Sequence, residues 1–386
     1  MAARPKGTGL LEEARDGPSR GVSTDHGHSN VPSLEQPDRL PIPERIVVRA
    51  PNWLGDAVLS LPALRDLRRS FPRSRIEVLA RAWVAPLYGA VREVDAVRES
   101  RGVAADAEAL RGAFDAAVLL PNSFASALAA WRAAVPERWG YATELRGPLL
   151  TRHPRVPDGA RGRSQVYYYR AMLAGLGLDV ASEPDASLQC PEDWADRGLT
   201  RLGDGGMGAW IGLNPGAFFG PAKRWVPERY AAAGELLARR TGARVAILGG
   251  ADERELGEAI AAGMRAPARV LCGETTLPEL VGVLARLRLL VTNDSGPMHV
   301  AAALGVPLVA VFGPTDWRET APVGDRHRLV REPVHCSPCL LRECPIDHRC
   351  MRRIAVDRVV GEARALLDLN GAVPAPKSRV LGRDLQ

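Results

Sequence analysis

Short β-branched runs alternate with helix-length stretches along this chain, and after one interruption the alternation begins again. The first run is Arg45-Ile-Val-Val-Arg-Ala50. The turn Pro51-Asn-Trp-Leu-Gly-Asp56 follows it, and Val58, Leu61, Leu64 and Leu67 then recur at the spacing of one helical face. Further runs lie at residues 76–80 and 114–120, the latter leading through Pro121-Asn-Ser-Phe124 into a helical stretch over 125–134. The interruption, about 178–208, holds Glu183-Pro184-Asp185 and Gly203-Asp-Gly-Gly206. The series then resumes with strands at 209–213, 245–248, 289–292 and 307–312, and helices at 227–240, after 249–253 and at 296–304. Alternation of this kind predicts βαβ units and a mostly parallel sheet. Two such series predict an α/β chain of two Rossmann-like αβα domains, residues 44–190 and 208–370, joined by a linker at 191–207 and facing a central cleft. Residues 1–43, rich in Gly, Pro, Ser and charge, read as a disordered tail, and 371–386 as a second tail.

In parallel sheets, ligands meet the carboxyl ends of the strands, and the polar turns of this chain fall there. One of them carries a compositional exception. Of 51 basic residues, 48 are arginine; Lys6 and Lys377 lie near the ends, and Lys223 stands alone between them. It belongs to Asn214-Pro-Gly-Ala217 and Lys223-Arg-Trp225, a turn between a strand and a helix. Glycines and free amides at a helix start favour an anion, and lysine adds a compact point charge that arginine does not supply. This predicts phosphate contact, against a plain interdomain loop. The second turn is Thr292-Asn-Asp-Ser-Gly-Pro-Met-His299. Asp294 or Ser295 reads as a helix cap. Alternatively, the amides of Ser295 and Gly296 meet a phosphate and Asp294 a sugar hydroxyl. His299 either faces the site or packs in the first helical turn. The third is Asn52-Trp-Leu-Gly-Asp56, where Gly55 allows close backbone approach. Asp56 is an N-cap or a general base; a helix N-terminus would depress its pKa and keep it ionised.

Other chemistries are excluded. No Asp-x-Asp pair is present to hold a metal against a nucleotide sugar, and no Gly-x-x-x-x-Gly-Lys loop occurs. Gly203-x-Gly-x-x-Gly208 precedes a strand rather than following one, which rules out the dinucleotide fingerprint. With no Tyr-x-x-x-Lys pair either, a Rossmann-type epimerase is excluded. Net charge is +6 and pI about 9.2, a mild attraction for anionic ligands or an anionic membrane surface, with no motif for nucleic acid. No apolar run reaches a membrane span of ~18 residues and no signal peptide is visible. The expectation is a cytoplasmic protein whose cysteines are reduced or metal-bound. Cys336-x2-Cys339-x4-Cys344-x5-Cys350, with His335 and His348 nearby, either holds a structural zinc or iron or packs as reduced thiols.

Taken in order, Asn52-Trp-Leu-Gly-Asp56, Asn214-Pro-Gly-Ala217 with Lys223-Arg-Trp225, Asn293-Asp-Ser-Gly-Pro-Met-His299 and Phe312-Gly-Pro-Thr315 resemble glycosyltransferase family 9. Within it they look like the lipopolysaccharide ADP-heptose transferases of the heptosyltransferase II type. The resemblance covers about residues 45–370. It implies a GT-B fold and inverting, metal-independent transfer of heptose from ADP-heptose to the first heptose of the inner core on lipid A, in Gram-negative core biosynthesis. It implies a cytoplasmic enzyme working at the inner leaflet. Residue by residue, it makes Asp56 the base and Lys223 the cation at the donor diphosphate. Asn214, Gly216, Ala217, Asp294, Ser295, Gly296, His299, Gly313 and Thr315 fall on the donor side, with Asp252 or Glu253 on the ribose. Asn52, Trp53, Gly55, Asn122 and Ser123 fall on the acceptor side. A different acceptor, or a nucleotide-sugar binder without turnover, remains compatible, and oligomeric state is left open.

Overall fold

The computed structural model describes residues 40–160, 162–203 and 208–369. Five strands form a first parallel sheet: β1 (Arg45–Arg49), β2 (Arg75–Ala80), β3 (Ala96–Glu99), β4 (Ala116–Leu119) and β5 (Glu137–Trp139), in the order β3-β2-β1-β4-β5. Six form a second: β6 (Trp210–Asn214), β7 (Arg244–Ile247), β8 (Ala268–Val270), β9 (Leu287–Asn293), β10 (Leu308–Phe312) and β11 (His327–Arg331). Their order is β11-β10-β9-β6-β7-β8, again all parallel. Counted from β6, the second sheet repeats the order 3-2-1-4-5-6 of a dinucleotide-type sheet. The direction of winding reverses between β1 and β4 in one sheet and between β6 and β9 in the other. The turns after these four strands are the polar turns singled out above. Central strands β1, β4, β6 and β10 are buried along almost their whole length, as parallel strands covered on both faces must be.

The expected helix through Val58, Leu61, Leu64 and Leu67 is two helices, Leu54–Leu59 and Leu61–Ser70, jointed at Ser60. Pro62 has no amide hydrogen to donate back into the first helix. Ser60 Oγ donates to the Ala57 carbonyl at 2.7 Å and meets Tyr88 Oη at 3.1 Å. The expected linker 191–207 differs more. Residues Glu192–Leu202 are a helix that packs on the helix Leu277–Ala285 leading into β9. A Cβ on Gly198 would lie 2.2 Å from the Gly282 carbonyl carbon, and one on Gly282 1.8 Å from the Trp194 oxygen. The two helices therefore meet backbone to backbone, and this segment is part of the packed body. The expected tails lie outside the described residues, except Leu40–Pro43 at the start of the body.

One buried apolar cluster runs through both sheets. It includes Ile46 and Val48 of β1, Met298 and Val300 of the helix Gly296–Ala303, and Leu290 and Leu308 of β9 and β10. The lobes therefore touch at their helix starts, and the cleft lies over that contact. Among the described residues no helix is long and apolar enough to cross a membrane.

Candidate active site

Asp56 stands in the first turn of the helix Leu54–Leu59, just after β1. The helix Gly296–Ala303, just after β9, packs against it from the other lobe. Two glycines allow this approach. A Cβ on Gly296 would lie 3.0 Å from Leu54 Cβ, and one on Gly55 would lie 2.9 Å from the His299 ring. The close approach read at Gly55 is thus to His299. That ring is buried, and its Nδ1 has no hydrogen-bond partner. Burial brings its pKa down to about 4, against the pull of Asp294 upward and with Lys223 adding to the fall. His299 is neutral, wedged beneath the Asp56 turn.

Lys223 closes the short 3-10 turn Pro221–Lys223 after β6. Its Nζ donates to Asp294 Oδ2 at 2.7 Å and to the Asp294 carbonyl at 3.4 Å, and lies 5.0 Å from the centre of the Phe219 ring. The lysine side chain is 12% exposed and that of Asp294 5%. Thr315 Oγ1 (2.7 Å) and Thr320 Oγ1 (3.2 Å) donate to the same Asp294 oxygen. The expected open carboxylate at Asp294 is therefore already engaged on one oxygen. Desolvation offsets most of the Coulomb gain of such a pair; its effect is to fix where the ammonium sits.

Asp56 feels both charges. Its pKa rises from 3.8 to about 6 because burial outweighs the lowering by Lys223, with Asp294 adding to the rise. The depressed value expected from the helix N-terminus does not hold, since burial dominates. A carboxylate near 6 is mostly ionised at pH 7 and still basic enough to accept a proton. The turns after β1, β6 and β9 thus bring Asp56, Lys223 and Asp294 within electrostatic reach of one another across the cleft.

The remaining donor-side residues divide into lining and bracing groups. Asn214 Nδ2 donates to Ser295 Oγ (3.0 Å) and Thr292 Oγ1 (3.3 Å), which ties the β6 and β9 turns together. Ser295 occupies the N-cap position without a side-chain cap bond. The cap reading fails there, and its hydroxyl is turned to Asn214. Asn293, missed in the sequence, does more. It accepts from the Trp225 amide and Tyr230 Oη, and donates to the carbonyls of Pro215 and Gly216. The only sequence signal was a polar residue closing an apolar strand. Glu253 packs its carboxylate where a side chain on Gly216 would be, 2.0 Å from that ideal Cβ, and accepts from the Gly250 amide at 2.9 Å. Asp252 is exposed, so Glu253 is the acid at the β6 turn. Ala217 is buried beside it. Gly313 makes room for Met351, whose sulfur would lie 2.9 Å from a Cβ there.

On the first lobe, Asn52 accepts through Oδ1 from buried Arg49 at 2.8 Å, and its carbonyl accepts from Trp83 Nε1 at 2.8 Å. Trp53 (58% exposed) meets Phe218 (78% exposed) of the β6 turn, ring centres 5.1 Å apart. After β4, Asn122 exchanges hydrogen bonds with Tyr168 Oη (2.9 and 3.1 Å), and Ser123 is exposed at the start of the helix Phe124–Arg132. Beneath this turn Arg146 is fully buried, donating to the carbonyls of Pro121 and Tyr141; burial lowers its pKa to about 10. Neither buried arginine was foreseen. Of the cysteines, Cys350 is pushed up to about 11 by burial and by the nearby thiols of Cys336, Cys339 and Cys344. Among the described residues no three His, Cys, Asp or Glu side chains come together as a metal-ligand set. A hollow of about 680 Å³ opens beside the Lys223 turn, between Ala222 and His348, rather than over Asp56. We place the site in the cleft because the charges converge there.

Residues 103–349 match the family described as glycosyltransferase family 9 (heptosyltransferase). The chain belongs to glycosyltransferase family 9. It is 34% identical over 309 residues to lipopolysaccharide heptosyltransferase 2 of Escherichia coli K12, covering 74% of this chain and 88% of that one. It is 31% identical to lipooligosaccharide heptosyltransferase 2 of Haemophilus ducreyi, covering 84% and 99%. The solved structure of E. coli ADP-heptose lipopolysaccharide heptosyltransferase II superposes with a TM-score of 0.74 at 32% identity, over 85% of this chain and 100% of that one. The family match takes in the turns after β4, β6 and β9. This glycosyltransferase carries the expected GT-B arrangement, with two parallel sheets presenting their switch points to one cleft.

Proposed function

We propose that this family 9 chain transfers heptose from ADP-heptose, with inversion, to the first heptose of the lipopolysaccharide inner core. The observation that carries the reading is the convergence of Asp56, Lys223 and Asp294 from three switch-point turns. The acceptor 3-hydroxyl loses its proton to Asp56 as its oxygen attacks the anomeric carbon. The bond to ADP breaks on the opposite face, and the charge that grows on the diphosphate meets Lys223 and the uncapped start of the helix Gly296–Ala303. Glu253 takes the ribose. This assigns the charge-neutralising role to protein groups rather than to a divalent cation. Trp53, Asn122 and Ser123 line the acceptor side. Arg49 and Arg146, held by carbonyls and an amide rather than carboxylates, lend that side a positive potential suited to an anionic core. The acceptor's lipid and the net charge of +6 support a peripheral position at the inner leaflet, on the cytoplasmic side. A structural zinc or iron at Cys336, Cys339, Cys344 and Cys350 belongs to the reading on the spacing of the four cysteines alone; elemental analysis that finds neither metal removes it.

One incubation tests the function. Purified protein is given ADP-heptose with heptosyl-Kdo2-lipid A, Kdo2-lipid A or a later core acceptor, and products are read by mass spectrometry. Gain of one heptose on the first acceptor, with release of ADP, is expected. Transfer only to another acceptor, or binding of ADP-heptose without turnover, overturns the assignment.

A further inference from the structure

The cysteine-bearing loop reaches the donor turn through backbone atoms. Ala222, immediately before Lys223, has both its amide and its carbonyl held by this loop: its amide donates to the Arg342 carbonyl at 3.0 Å, and its carbonyl meets His348 Nε2 at 2.7 Å. A carbonyl can only accept, so Nε2 carries the proton in that contact. The two segments run so close that a Cβ on Gly220 would lie 2.4 Å from the Arg342 oxygen. His348 is itself fixed, since its amide donates to Cys344 Sγ at 3.3 Å and its backbone is left-handed at φ 55°. Phe219 lies between the two cations of the region, 5.0 Å from Lys223 Nζ and 5.9 Å from the Arg342 guanidinium.

We propose that His348 is a positioning residue: by clamping the Ala222 carbonyl it sets the peptide that aims Lys223, and so tunes donor turnover without touching the donor. This rests on the reading of Lys223 as the cation at the diphosphate. Lysine has a long flexible stem, and Asp294 restrains only its tip. The peptide that launches the stem needs a restraint of its own, and the cysteine loop supplies it through Arg342 and His348.

The test compares the full chain with His348→Gly and His348→Gln. Glycine suits the left-handed backbone, so that variant deletes the imidazole without adding strain. Glutamine places an N–H donor at a similar reach. Two measurements are made: KM and kcat for ADP-heptose and for the acceptor, and amide hydrogen exchange over residues 218–224. His348→Gly is expected to lower kcat/KM for ADP-heptose by about tenfold, the upper worth of one such half-buried hydrogen bond. It should also speed exchange at Ala222, with acceptor KM within about twofold. His348→Gln is expected to recover most of both. Unchanged donor kinetics and exchange in His348→Gly overturn the proposal, as does an equal loss in donor and acceptor parameters that glutamine does not rescue. If the wild-type chain transfers no heptose, the functional reading fails by itself. The exchange measurement then decides the clamp: faster exchange in His348→Gly alone supports it, and no change refutes it.

Discussion

Asp56→Asn makes the sharpest demand on the proposed site, because it should improve the fold as it removes the activity. Folding raises the Asp56 pKa from 3.8 to about 6, mainly through burial. A carboxyl whose folded pKa lies above its unfolded one favours the native state while protonated. That contribution is fully present below pH 3.8 and is lost as pH rises through 6. The gap of about 2 units corresponds to about 3 kcal/mol at about 1.4 kcal/mol per unit. Asparagine cannot ionise and escapes this loss, although its amide keeps a burial cost of its own. We therefore expect Asp56→Asn to be more stable than wild type by about 2 kcal/mol at pH 8, and by about a third as much at pH 5, where the folded wild type is mostly neutral. Urea midpoints at the two pH values measure it. Turnover of the variant should fall roughly 10²–10⁴-fold, and wild-type kcat/KM should drop about tenfold per pH unit below 6. A stability gap that does not change with pH, or a variant that still turns over at a near-normal rate, would refute the reasoning.

The other predictions concern what surrounds that carboxylate. Lys223→Ala should lower turnover of ADP-heptose roughly 10²–10³-fold and Lys223→Arg about tenfold or more; full activity of the arginine variant would make the lone lysine a compositional accident. Asn293→Ala takes away the side-chain partner of the Trp225 amide and of two carbonyls, and leaves the Tyr230 hydroxyl only the Asn214 carbonyl. It should cost about 2–4 kcal/mol of stability and weaken ADP binding in calorimetry. Gly198→Ala would drive a Cβ into the Gly282 backbone. A loss of about 3 kcal/mol is expected, and an unchanged urea midpoint would contradict the helix contact.

The central strands were legible because burial on both faces leaves continuous apolar runs: β1, β4, β6 and β10 carry almost no polar residue facing water. The edges were not. β3 (Ala96–Glu99) and β11 (His327–Arg331) are half-exposed and carry arginines, and β8 has only three residues. The helix Glu192–Leu202 was hidden by the glycines after it. Gly203 is its left-handed C-cap at φ 73°, a helix-stop signal that reads equally well as a linker. Asp56, Lys223 and Asp294 stood out as polar residues at strand ends. Which charge meets which did not, because pairing depends on how two lobes dock. The direction of the Asp56 shift was illegible for the same reason, since the burial comes from the other lobe. Asn293, Thr320 and His348 act through hydrogen bonds between segments up to 126 residues apart, and no local pattern marks such partners.

The pairing of Lys223 with Asp294 also changes the question of why arginine is absent at this one position. Size alone is a weak argument, since long side chains adjust. The stronger argument is one of donors. An ammonium has three N–H groups pointing in different directions. Two are directed at Asp294, its Oδ2 and its carbonyl, which leaves one for a diphosphate oxygen while the aspartate still holds the group in place. A guanidinium presents its donors in one plane and closes on a carboxylate in a bidentate fork. In the same seat it would lie flat against Asp294 and turn its remaining donors away from the cleft. On this argument the chain needs a cation that can be anchored and shared at once. Asp294→Asn should then narrow the difference between Lys223 and Lys223→Arg, because it removes the fork's partner. If arginine stays as poor a substitute in the Asp294→Asn background as in the wild type, fit rather than donor geometry is the reason for the lysine.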